Sequence, residues 1–293
     1  MRASSKVTLI FLVILVVLSV AIWYAVIREE RGDILRVSFL DIGQGDAIFI
    51  DAPSGRQVLI DGGKGSAVLR QLASVMPWYD KTIDVVVGTH PDQDHIGGLV
   101  EVLRRYTVPL VVKSSTLDTE GADYKAFEKA IEDERDVRVL EAVRGEVIDL
   151  GSTGSPQAAN VYLEILFPDR NLSAVETNTG SIIIRLVYGD TAFMLTGDSP
   201  DEIENYLVSL DGGKLKSNVL KAGHHGSKTS SSPLFLGYVA PEFAVFSRGC
   251  DNSYGHPASE TVARFARFEI PTLDTCKDGT ITFVSDGQVV VRK

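Results

Sequence analysis

Two histidines and two aspartates fall within six positions of the stretch VVVGTHPDQDHIGG, residues 85–98: His90, Asp92, Asp94 and His95. Imidazole and carboxylate are the donors that borderline and hard divalent ions take, and four such groups on one turn repel one another unless a cation lies between them. The competing reading is a polar loop joining a strand to a helix. The remaining three of the five histidines, His224, His225 and His256, lie in two further short polar motifs, HHGS and SYGHP, each following a strand-like run. None is left for a core or a surface helix, an economy expected when histidine is kept for a site.

The elements that must position these groups are legible on either side. Val85-Val86-Val87 is a β-branched run that stops at Gly88, and Gly97-Gly98 opens an amphipathic helical pattern, so the ligand loop leaves a strand end and enters a helix. Upstream, LRVSFLDI, DAIFID and RQVLIDGG, separated by GQG and APSG, read as an antiparallel meander. Helical spacing follows over 66–76, with Val68, Leu69, Leu72 and Val75 on one face; downstream come a helix near 98–106, the strand PLVVK, a helix near 123–134 and the strand VRVLE. The second half repeats the alternation. NVYLEILFP, SIIIRLVYG and TAFMLTGD are strand-like, and the last ends at Asp198, whose two oxygens suit a bridge between two cations about 3.5–4 Å apart, although taken alone it is a capping aspartate. A helix over 200–210, the strand SNVLKAG into HHGS, a short helix, the strand EFAVFS, a helix over 258–268 and the hairpin TITFVSDGQVVVR complete the chain. Two β-rich halves, each with helices outside, predict an α+β protein built as a four-layer αββα sandwich.

Composition is that of a globular protein, 44% hydrophobic and 23% charged, apart from residues 7–27, an uncharged run of 21 positions. That length spans a bilayer, and Trp23 and Tyr24 sit where an interfacial aromatic belt belongs. Arg2 and Lys6 precede the run, as in a signal peptide, but its apolar region is long and no small-x-small cleavage site follows; an uncleaved signal anchor is expected. The positive flank places the N-terminus in the cytoplasm and the domain outside, with Arg28 and Arg31 on the far side opposing this and Glu29 and Glu30 accompanying them. Setting aside Arg2 and Lys6 of 29 basic residues leaves 27 against 39 acidic, a balance of −12. A broad basic surface for nucleic acid is therefore excluded, and a polyanion would have to be held by metal and a few local donors. Cys250 and Cys276 either pair in an oxidising compartment or remain buried thiols.

THPDQDHIGG, LIDGG, LTGD and KAGHHGS together resemble the metallo-β-lactamase superfamily. FLDIGQGDAIFID, NTGSIIIRL, LKAGHHGSKTSS and SYGHP resemble, more narrowly, the extracytoplasmic hydrolase domain of ComEC/Rec2 competence proteins, over about residues 35–291 and in the family's order, without the polytopic channel of those proteins. With the apolar run and its flanks, the expected organisation is residues 1–6 in the cytoplasm, an anchor at 7–27, a linker at 28–34 and, from the resemblance, a hydrolase domain at 35–293. The resemblance implies one or two divalent ions, Zn or Mn, with His90 and Asp92 facing one position, Asp94, His95 and His224 facing the second, and Asp198 bridging. Asp61 in LIDGG would orient the ligand loop, its alternative being a turn-forming residue before Gly-Gly. It further implies a membrane-anchored phosphodiesterase, with DNA as substrate, uptake as the role and a separate channel protein as partner. The alternatives are a hydrolase of another envelope or nucleotide phosphoester, and a tethered binding subunit of weak activity.

This chain departs from the superfamily pattern at two points. Asp92 stands where histidine is usual, and no histidine lies between 95 and 224. Asn178 and Ser181 occupy that region, either as phosphate or water contacts or as strand caps. The first metal position is therefore oxygen-rich, which argues against a lactamase-type zinc pair and brings Mn into range. Adjacent side chains on an extended segment point in opposite directions, so His224 and His225 are not expected on the same ion. The sequence reading takes His224 as the ligand and His225 as the acid or phosphate contact. His256 donates to the leaving group or completes a metal shell, or else is a loop residue before Pro257. Asp94 is also expected to take part in catalysis. Gln44 and Asp46 in GQGD, and Ser227 and Lys228 after HHG, are either turn residues or contributors to the site.

Overall fold

Three antiparallel strands, β1 (Leu35–Phe39), β2 (Ile48–Asp51) and β3 (Gln57–Ile60), form the expected meander. The computed structural model describes residues 5–29, 32–152 and 159–293. Ahead of the meander lies α1 (Ser5–Glu29), which contains the expected apolar run; Lys6–Tyr24 is long and apolar enough to cross a membrane and is exposed throughout. Of the stretch read as a linker, 28–34, the first two residues continue α1, and residues 30 and 31 lie outside the described residues, as do residues 1–4 at the N-terminus.

After the meander come α2 (Ala67–Val75), β4 (Val85–Gly88), α3 (Gln93–Ile96), α4 (Leu99–Leu103), β5 (Leu110–Lys113), α5 (Ala122–Asp133) and β6 (Arg138–Glu141). The second half supplies β7 (Val147–Gly151), β8 (Val161–Phe167), β9 (Ile183–Tyr188), β10 (Thr191–Leu195), α6 (Asp201–Asp211), β11 (Val219–Lys221), α7 (Pro233–Val239), β12 (Phe243–Phe246), α8 (Ser259–Arg267), β13 (Thr272–Asp274), α9 (Thr275–Asp278), β14 (Ile281–Ser285) and β15 (Val290–Arg292). One sheet runs β15-β14-β1-β2-β3-β4-β5-β6, the other β13-β12-β11-β10-β9-β8-β7. Two short edge strands, β7 and β13, go beyond the sequence reading. Each pairs on one side only, and β7 is largely exposed, so neither carries a sustained apolar pattern.

The period of two sorts each strand into layers. Val37, Ile50, Val58 and Val87 of the first sheet meet Leu163, Ile184, Phe193 and Val219 of the second, forming the central layer. On the outer face of the first sheet, Leu59, Val86 and Val111 meet Leu72 of α2, Val102 of α4 and Phe127 of α5. On the other, Met194, Leu220 and Ala244 meet Leu207 of α6, Leu236 of α7 and Phe265 of α8. Each buried Val, Leu, Ile, Phe or Met among them contributes roughly 1.5–3 kcal/mol. This is the αββα sandwich.

β3 to β6 run parallel, as do β10 to β13, so their C-terminal ends gather at one edge of the sandwich. The Gly-Gly pairs fix the loop there. The Gly98 amide donates to the Gly63 carbonyl at 2.7 Å, and a Cβ on Gly98 would strike the Gly62 carbonyl oxygen. α4 can approach the end of β3 this closely only with glycine.

Candidate metal centre

Six strand ends contribute at this edge. Asp61 follows β3, His90 to His95 follow β4, Ser114 follows β5, Asp198 follows β10, the histidine pair follows β11 and Ser247 follows β12. His95 reaches the centre because Asp92 begins the one-turn helix α3, and the His95 amide donates to the Asp92 carbonyl at 3.0 Å.

Three imidazoles are oriented in the same way. His95 Nδ1 lies 2.8 Å from Asp61 Oδ2, and His225 Nδ1 lies 2.7 Å from the Ser247 carbonyl. His90 Nδ1 lies 3.0 Å from Thr89 Oγ1, whose own proton goes to Asp61 Oδ2 at 2.7 Å, leaving a lone pair for the ring. With Nδ1–H donating outward in each case, Nε2 is the atom turned inward. All three Nε2 atoms are buried and have no hydrogen-bond partner. Asp198 Oδ2 is 3.3 Å from both His95 Nε2 and His225 Nε2, and Asp94 Oδ2 is 3.4 Å from His225 Nε2. Donors from His90, His95 and Asp198, and from Asp94, His95 and His225, lie within 4.8 Å of one another, so both groups fit a divalent ion.

Electrostatics supports the same fit. Burial opposes protonation of His95 and His225, yet Asp198, with Asp61 beside His95 and with Asp46 and Asp94 beside His225, raises both rings well above the usual imidazole range. For Asp198, burial favours the neutral acid, but His225, His95 and Lys221 hold it well below the usual carboxylate range. Asp94 is likewise held low by His225 and His95 against its burial. His90 moves the other way, lowered by burial and then by His95. The carboxylates thus demand positive charge, which protons on His95 and His225 provide and which ligation by a divalent ion would displace.

The backbone at the histidine pair is not extended. His224 has φ 48° and ψ 52°, His225 has φ 54° and ψ 20°, both left-handed, so the alternation of an extended strand does not apply. His225 is the ring brought against Asp94 and Asp198. His224 is part-exposed, with Nε2 3.6 Å from Asp198 Oδ2, and its ring is 5.5 Å from that of His256. Asp92, also part-exposed, places Oδ2 3.7 Å from His90 Nε2 at the rim. His256 lies further out, with Nδ1 buried and unpartnered. Ser181 Oγ accepts from the Asp198 amide at 3.2 Å, while Asn178 keeps Oδ1 buried without a partner. Ser227 pairs with Thr229 at 2.9 Å, and Lys228 points to solvent.

Lys221 escaped the sequence reading. It is fully buried, its ammonium 2.5 Å from Asp46 Oδ2 and 3.1 Å from Asp198 Oδ1. Burial alone would lower its pKa; the two carboxylates raise it above the ordinary lysine value. The signal was available: Val219 faces the central layer and Leu220 the helices, so period two turns Lys221 inward, where a charge needs a partner. Burial would raise the pKa of Asp46, but Lys221 and then His225 hold it low. A cleft of 460 Å³ opens beside these groups, bounded by Gln44, Lys64, Asp92, Asp94, Asp118 and the stretch 251–254.

Residues 40–249 match the family model of the metallo-beta-lactamase superfamily, and the chain belongs to that superfamily. Among curated relatives, ComE operon protein 3 of Bacillus subtilis is 30% identical over 84% of this chain and 32% of its own length. Competence protein ComA of Neisseria gonorrhoeae is 31% identical over the same shares. The chain thus spans about a third of the length of these relatives. A solved metallo hydrolase, Igni18 of Ignicoccus hospitalis, has the same fold, with a TM-score of 0.52 at 16% identity over 85% of this chain and 98% of that one.

Proposed function

We propose that this chain is a membrane-anchored phosphodiesterase dependent on one or two divalent ions, Zn or Mn, that its domain stands outside the cytoplasm, and that DNA entering the cell is its substrate. The observation that carries the reading is the convergence of three buried, unpartnered Nε2 atoms on Asp198 beside an open, oxygen-rich cleft. His90, Asp94, His95, Asp198 and His225 would hold the metal, with Asp92 completing the His90 side. In this reading His225 takes the ligand role that the sequence reading gave to His224. When bound, the ion sets positive charge against the phosphoryl oxygens and acidifies a water. The chain's own groups do the rest. Asp61, Thr89 and Ser247 hold the rings in one tautomer, Lys221 keeps Asp198 Oδ1 occupied so that Oδ2 faces the histidines, and His224 and His256 carry the proton passed to the leaving oxygen.

The placement outside the cytoplasm draws on the order of Arg2, Lys6 and the apolar run, and on the disulfide between Cys250 and Cys276, a bond at home in an oxidising compartment. The role in DNA uptake draws on the relatives, one of which is named a competence protein. A channel for the incoming strand, on this protein or on a partner, is what this role requires.

The test uses the full chain in detergent, with metal content measured and hydrolysis followed on single-stranded DNA, duplex DNA, RNA and a small diester in Mn or Zn. Stoichiometric metal and diester cleavage are expected. His225→Ala should lose both, whereas His224→Ala should keep the metal and lose turnover. A chain without metal, or one unchanged by Asp94→Asn, overturns the reading; cleavage of small diesters alone redirects it to another envelope phosphoester.

A further inference from the structure

The stretch from Cys250 to His256 forms one rim of the cleft and is held rigidly. The disulfide ties Cys250 to Cys276, Arg248 pairs with Asp274 at 2.6 Å, and Asn252 both donates to the His256 carbonyl at 2.9 Å and accepts from the His256 amide at 2.9 Å. At the tip of this braced loop Tyr254 is 68% exposed, an unusual position for so large a ring. Its ring lies flat against His256, with centroids 5.8 Å apart and planes 16° apart. His256 is in turn 5.5 Å from His224, so a row of rings leads from His224, beside Asp198, to the open face of Tyr254.

Two more observations narrow what that face takes. The cleft is bounded by four carboxylates, Asp92, Asp94, Asp118 and Asp251, against one ammonium, Lys64. Such a lining gives no basic track to a phosphate backbone, single or paired, so recognition beside the metal groups falls to the base. At the base of that loop Gln44, which also lines the cleft, accepts at Oε1 from the Gly249 amide at 3.2 Å, which leaves its Nε2 as a buried donor without a partner.

We propose that Tyr254 is a stacking platform for an unpaired nucleobase next to the scissile phosphate, with Gln44 Nε2 as the donor facing it, so that the enzyme selects single-stranded over duplex nucleic acid. The inference rests on the phosphodiesterase reading and deepens it. An exposed aromatic face accepts any base, but only one that is not already stacked in a duplex. Bracing by the disulfide and Asn252 lowers the ordering cost of the contact.

The experiment compares the full chain with Tyr254→Ala and Tyr254→Trp. A single-stranded oligonucleotide carrying 2-aminopurine is titrated without added metal, and KM is then measured on that oligonucleotide, its duplex, an RNA of the same sequence and methyl p-nitrophenyl phosphate, which has no base. Expected are quenching of 2-aminopurine by the wild type and Tyr254→Trp but not by Tyr254→Ala, and a KM rise of roughly 5- to 100-fold for Tyr254→Ala on single strands. The small diester should still be cleaved by all three, with a smaller loss in Tyr254→Ala than on single strands. The RNA arm decides whether the sugar matters to the platform. Unchanged quenching and KM in Tyr254→Ala, with the small diester still hydrolysed, overturns the platform alone; no hydrolysis of any diester overturns the phosphodiesterase reading instead.

Discussion

Lys221 shows what a single residue does to this centre. Its ammonium is buried between Asp46 and Asp198, and burying that charge costs more than its hydrogen bonds return unless both carboxylates are there. Lys221→Met takes from buried Asp46 its nearest cation and leaves only His225 and His95 to offset its charge; a loss of about 3–5 kcal/mol is expected, read by denaturant unfolding in chelator. Adding Asp46→Asn should recover a large part of that loss, because the two residues interact directly. Asp61 acts through other residues. It accepts from His95 Nδ1, from Thr89 Oγ1 and from the Thr89 amide at 2.8 Å, so Asp61→Asn frees two rings from a fixed tautomer. A loss of about 10- to 100-fold in metal affinity is expected by calorimetry, with the fold retained. At this scale the sequence was most informative for the dense loop, where His90, Asp94 and His95 stand out by type and spacing. It was least informative for the histidine pair, where the sequence reading assumed an extended backbone and the left-handed one follows from the packing of the turn.

At the scale of elements, α6 supports the histidine turn from beneath. Its buried Glu204 accepts from the Ser231 and Ser232 amides, each at 2.7 Å, and Ser231 Oγ in turn accepts from the Gly223 amide at 3.2 Å. Burial raises Glu204 to about 7, against the pull of those two amides. A carboxyl whose pKa is higher in the folded chain stabilises that state through its proton. The contribution is complete below the unfolded value near 4.5 and is lost as pH rises through about 7. The stability of the wild type relative to Glu204→Gln should therefore fall between about pH 5 and pH 7 and level off above, as thermal unfolding across that range will show. A constant difference would mean that Glu204 stays ionised throughout. Most helices and central strands were legible because apolar periods of 3.6 and 2 dominate them. β7 and β13 were not, since each is short, pairs on one side only and carries no sustained apolar period.

For the whole molecule, β1 separates the segment that follows the apolar helix α1 from the site. The chain enters the sandwich at Leu35, and the far end of β1 leads to the Gly45-Asp46 turn, where the Asp46 amide donates to the Asp94 carbonyl at 3.1 Å. The cleft therefore opens at the end of β1 away from the segment that follows α1. The full chain is expected to float with lipid vesicles, and a chain beginning at residue 32 to stay in solution with its metal content unchanged; co-flotation of the shortened chain would place the membrane contact in the domain. By itself the sequence determined the apolar span, the order of strands and helices, and the ligand loop, because each is written in local periodicity or in a dense run of donors. Tertiary structure decided which donors meet. β14 returns across more than two hundred residues to pair with β1, and the parallel ends of β4, β10 and β11 bring His90, Asp198, Lys221 and His225 to one point. Those contacts join residues far apart in the chain, and they are fixed by burying two sheets against each other.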